Sequence, residues 1–72
     1  MKEYFDIMLF ASRGKAKRFA EKVKGDLYYY GPRSKTRDNY KLEMESMEGG
    51  FDETLAQSHP YMVSWLKKES TQ

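Results

Sequence analysis

No cysteine occurs among the 72 residues, which excludes disulfide staples and thiolate metal sites and leaves the fold to packing alone. No apolar run approaches the roughly 20 residues of a membrane-spanning helix, so no membrane partner is expected. The single histidine, His59, stands before Pro60 with no carboxylate convincingly beside it, and general acid–base chemistry needs a partner within hydrogen-bond reach. One histidine without a compact carboxylate cluster also argues against a bound metal. The expectation is therefore a non-enzymatic protein with no catalytic residue, metal or cofactor. The opening M-K-E-Y-F-D has acids around its aromatic pair and no small-residue cleavage site, unlike a signal peptide. A cytoplasmic location is expected. Neither an internal repeat nor a low-complexity segment is present.

What is present fits one small domain, residues 1–72. A chain of this size buries only about 60% of the surface it exposes when unfolded. Aromatic residues make up 15% of it, and all but Trp65 are Phe or Tyr, which favours a sheet-containing fold. Met8, Met44, Met47 and Met62 read as core filler. The net charge of +2 conceals a segregated pattern: residues 12–37 hold nine basic residues against two acidic ones, and residues 38–58 hold six acidic against one basic. Such sorting concerns partners and steering rather than fold; the two halves could also neutralise each other when folded.

Tyr4–Ala11 is short, rich in strand formers and apolar on both faces, which suits a central strand. Ser12 can cap a following helix, and Ala16, Phe19, Ala20 and Val23 fall on one helical stripe. Gly25 is placed to stop that helix in a left-handed conformation. Asp26–Tyr30 reads as a second strand ending at the Gly31-Pro32 turn. Tyr40–Met47 alternates apolar and polar residues and reads as a third strand, forming a hairpin with the second around a long basic tip. After Gly49-Gly50, residues 51–58 suggest a short helix with acids in its first turn, limited by Pro60. Residues 60–68 fit either strand or helix, with Tyr61, Val63 and Trp65 tilting towards strand; residues 69–72 are expected to fray.

Strand, helix, strand, strand, short helix, strand resembles the ferredoxin-like βαββαβ order, an α+β fold. The alternative is a three-stranded sheet with two or three helices, one of them C-terminal. Fold resemblance does not supply function.

Three constellations are candidates for binding. The strand-to-helix junction at Ser12, Arg13, Gly14 and Lys15 offers free backbone N–H groups to an anion, though without phosphate-loop spacing; a capped helix with solvated basic ends explains it more simply. The helix residues Arg13, Lys15, Lys17, Arg18 and Lys22, with Arg33, Lys35 and Arg37 of the hairpin tip, could clamp the phosphates of DNA or RNA. A solvated helix face explains the first group as well, whereas a loop needs no such charge to fold. Third, Phe10, Tyr28, Tyr29, Tyr30, Tyr61 and Trp65 could form an exposed aromatic sheet face. That face could stack on bases, form a homodimer seam or dock another protein. Glu43 and Glu45 stand where an RNA-binding sheet would carry rings and glycines, which favours protein contact there. Nucleic-acid binding is the leading expectation. The alternative is a protein-interaction module: a homodimer, an adaptor, or a small inhibitor of the kind phages and mobile elements encode, a comparison resting on size alone.

Overall fold

A computed structural model describes residues 3–68 of the chain; the expected fraying of 69–72 lies outside the described residues. The elements run β1 (Glu3–Phe10), α1 (Arg13–Val23), β2 (Asp26–Tyr29), α2 (Arg37–Glu45), α3 (Glu53–Ser58) and β3 (Tyr61–Lys68). The strands form one antiparallel sheet in the order β1-β3-β2. The protein is α+β, but the βαββαβ order does not occur, because residues 37–45 are helix rather than a hairpin strand. The alternative's three-stranded sheet is present, with three helices, but its C-terminal helix is not, since 61–68 is a strand and the central one.

Helix α1 is built as its sequence implies. The Ser12 hydroxyl accepts the Lys15 N–H at 3.4 Å, and Ala16 and Ala20 are buried beneath the helix. With methyl groups alone at those positions, α1 lies close against Val63 in the middle of β3. The expected role of Gly25 is corrected. Lys24 takes the left-handed conformation, φ 56° and ψ 43°, and the Lys24 and Gly25 N–H groups converge on the Ala20 carbonyl. Glycine follows for a different reason: a Cβ at position 25 would stand 2.5 Å from the Ser64 carbonyl oxygen.

Alternation along β3 divides the interior into two cores, one on each side of the sheet. Val63, Tyr61 and Trp65 pack with Ala16, Ala20, Phe10, Phe19 and Leu27 under α1. Met62 packs with Tyr40, Met44 and Ala56 under α2 and α3, joined by Ile7, Leu9, Tyr28, Tyr30 and Phe51. Helices thus cover both faces, and among the described residues the expected open aromatic sheet face does not form; Phe5 and Tyr29 are sheet rings left exposed. The expected position of β1 is likewise corrected: it is an edge strand, and the continuous burial of Met62, Val63 and Ser64 marks β3 as the centre.

The 40–47 segment became helix because its alternation is ambiguous. Tyr40 and Met44, read as one strand face, are also four residues apart and share one helix face. Both are buried, while Leu42 is thrown out to solvent at 64% exposure. Lys, Leu, Glu and Met favour helix, and no β-branched residue opposes them. Tyr40 then ties α2 to the start of β3, its hydroxyl donating to the His59 carbonyl at 2.7 Å. Asp52 caps α3 by accepting the Leu55 N–H at 3.1 Å.

A candidate nucleic-acid interface

The ends of β1 and β2, the start of β3, the start of α1 and the 30–36 loop meet at one end of the sheet. Phe10 and Tyr29 are both register partners of Tyr61, so three rings form a row across this end, on the α1 side. Tyr29 stacks on Tyr61 with centroids 4.9 Å apart and planes 22° from parallel. Phe10 turns to Phe19, and Phe19 meets Trp65 edge-on at 5.1 Å. Tyr29 is the exposed ring of this set, at 41%.

The loop that follows is held by its own polar groups. The Thr36 hydroxyl accepts the Tyr29 N–H at 2.8 Å, and the Ser34 hydroxyl accepts the Thr36 N–H at 3.1 Å. The Ser34 N–H donates to the Gly31 carbonyl at 3.1 Å. The Tyr29 ring folds over Gly31 so closely that any Cβ there would overlap it. Glycine at 31 therefore sets where the Tyr29 ring lies, a role marked in the sequence only by a turn signal.

Three clefts border Tyr29. One, of about 290 Å³, is lined also by Tyr30, Arg37, Glu53 and Gln57. The other two hold Arg13 and Arg33. The first of these, of about 310 Å³, is lined by Arg13, Leu27, Tyr29 and Tyr61. The second, of about 440 Å³, is lined by Tyr29, Pro32, Arg33 and Ser34. Basic residues from two separate pieces of chain thus stand on either side of an exposed stacked ring. Among the described residues, neither arginine is joined to a carboxylate by a salt bridge.

The other basic candidates are divided. At roughly 100° per residue, Lys17 shares the Arg13 flank of α1, turned towards β2. Lys15 and Lys22 fall on the opposite flank, beside Phe19 and β1, and Arg18 points outward. Lys35 is exposed in the 30–36 loop, which joins β2 to α2 and is not a hairpin tip. Arg37 is engaged internally: its guanidinium lies 4.2 Å from the Tyr30 ring centroid and donates to the Tyr30 hydroxyl at 3.1 Å.

The remaining aromatic candidates belong to the interior. Tyr30 packs on Tyr40 and Phe51 at 5.1 and 5.6 Å. Tyr28 faces the α2 core, where burial, then the Asp26 and Glu43 carboxylates, push its hydroxyl pKa up. Burial pushes Tyr40 up to about 12, with Tyr30 adding to it.

His59 Nδ1 lies 2.8 Å from the Ser58 hydroxyl, which itself bonds the Leu55 carbonyl at 3.1 Å. This contact between neighbouring residues closes α3. Among the described residues no group of three His, Asp or Glu side chains is placed to hold a metal ion, and no helix is long and apolar enough to cross a membrane. No family model matches the chain, and no curated protein or solved structure matches it either.

Proposed function

We propose that this protein binds single-stranded nucleic acid, DNA or RNA, without catalysing a reaction. The observation that carries the reading is the exposed Tyr29 ring, backed by Tyr61 at 4.9 Å and flanked by Arg13 and Arg33 in two of the clefts it borders. A base stacked on an aromatic platform gains about 1–3 kcal/mol whatever its identity, and cations on both sides suit the phosphates before and after it. The larger cleft falls within the roughly 300–1,000 Å³ range of small-ligand sites. A duplex keeps its base faces stacked on one another, so the platform favours an unpaired strand. Of the acids of residues 38–58, Glu53 lines a cleft that Tyr29 shares, whereas none lines the two clefts that hold Arg13 and Arg33.

Fluorescence anisotropy with labelled single-stranded and duplex oligonucleotides tests this. The single strand should bind more tightly, with affinity falling steeply as salt rises. Tyr29→Ala should weaken it about tenfold or more, in line with the loss of one stacked base. Absence of single-strand binding even at low ionic strength refutes the proposal.

A further inference from the structure

Among the described residues, strand β1 pairs only with β3, which leaves its other side open. Along the register from Phe5 to Phe10 there is no bulge, no proline and no lysine, and Asp6 is the one charged residue; edge strands ordinarily discourage pairing with several such devices. Phe5 is 63% exposed and Met8 46%. The Ile7 N–H donates to its neighbour Asp6 Oδ1 at 2.9 Å, so this ladder donor is turned to the open side. Beside the strand, on the α2 side, runs a groove of about 290 Å³ whose lining includes Ile7, Leu9, Met44, Met47 and Leu55 with the charged Glu48.

We propose that a second copy of this chain pairs antiparallel along β1, about a two-fold axis through Ile7. A continuous six-stranded sheet results, in the order β2-β3-β1 followed by its mirror sequence in the partner.

The register follows from the side chains. Directly opposed residues point to the same face of a sheet. The axis must therefore pass through a residue, and three central choices exist. An axis through Asp6 sets two carboxylates against each other. One through Met8 carries each Phe5 past the end of β1, opposite Ala11, and leaves the groove unfilled. An axis through Ile7 sets Asp6 opposite the partner's Met8 and Phe5 opposite the partner's Leu9, at the wall of the groove. Each exposed phenyl ring then meets apolar surface, and the partner's Ile7 carbonyl takes the place of Asp6 at the Ile7 N–H. The basic residues around Tyr29 lie beside β2, at the far edge, so the pairing brings no cationic surfaces together. This inference does not depend on the nucleic-acid reading.

Sedimentation of the full chain over a range of concentrations, joined to single-cysteine crosslinking, tests it. Because the chain has no cysteine, an introduced thiol reports on one position alone. Reversible dimerisation is expected, with Ile7→Cys forming a disulfide-linked dimer on mild oxidation. Met8→Cys should link only when mixed with Asp6→Cys, since diagonal neighbours are too far apart for a disulfide. Should Ile7→Cys unfold, Phe5→Glu alters an exposed side chain and should weaken dimerisation about tenfold or more. A protein that stays monomeric up to about millimolar concentration overturns the proposal and leaves the edge to a strand of another protein. A dimer indifferent to Phe5→Glu overturns it too.

Discussion

Tyr40 concentrates several constraints in one side chain. It is fully buried, packs on Tyr30 and donates its hydroxyl to His59 across the start of β3. Its pKa is raised from 10.0 to about 12, so the folded state holds this proton more tightly than the unfolded chain. The resulting stabilisation is complete below pH 10, the ordinary value, and disappears as pH climbs through about 12. Denaturant melts at stepped pH should show stability falling across that window. Tyr40→Phe should cost about 1 kcal/mol at neutral pH through the lost hydrogen bond and should flatten the alkaline decline. An equally steep decline in the variant would assign it to other groups. Lys24 offers the opposite case, a residue whose backbone is costly where it stands. A non-glycine left-handed residue is disfavoured, so Lys24→Gly should raise stability by about 0.5–1 kcal/mol, read as a higher denaturation midpoint.

At the scale of elements, the sequence was most legible where one periodicity stood alone. Ala16, Phe19, Ala20 and Val23 permit only a helix stripe, and Ser12 supplies its start, so α1 appears where its pattern puts it. The 40–44 segment allows two periods at once. Tyr40 and Met44 are common to both, and Leu42 alone separates them. Since Leu42 lies in water on α2, Leu42→Lys should change stability by no more than about 0.5 kcal/mol, the usual range for exposed positions. Met44→Ala, two residues away and buried, should cost about 2–5 kcal/mol. Equal penalties at the two positions would contradict the helix. The apolar faces of β1 misled for a related reason: two-sided apolarity marks contact on both faces but says nothing of whether a second strand lies alongside. The site was legible in part. Arg13, Arg33, Tyr29 and Tyr61 stand out by residue type, but their meeting depends on the antiparallel pairing of β2 with β3, which joins positions 29 and 61. The placing of Tyr29 by Gly31 depends on a contact that no periodicity encodes.

For the whole molecule, sorted charge raises a question that binding alone leaves open. A positively charged half attracts any polyanion, and such attraction treats every surface cation alike. The proposed site does not. It requires Arg13 and Arg33, which border Tyr29, and gives no part to Lys15 and Lys22 on the far flank of α1. Two double reversals with the same change of net charge separate the cases. Arg13→Glu with Arg33→Glu should weaken single-strand binding at least about tenfold more than Lys15→Glu with Lys22→Glu, and should flatten the salt slope by about one phosphate contact per arginine. All four positions are exposed, so neither pair should change the fold, and far-ultraviolet dichroism would verify this. If both pairs weaken binding equally, the attraction belongs to the basic half as a whole and Tyr29 marks no site. If the arginine pair dominates, the charge gathered in residues 12–37 serves to bring a strand towards the ring, and the clefts beside Tyr29 hold it.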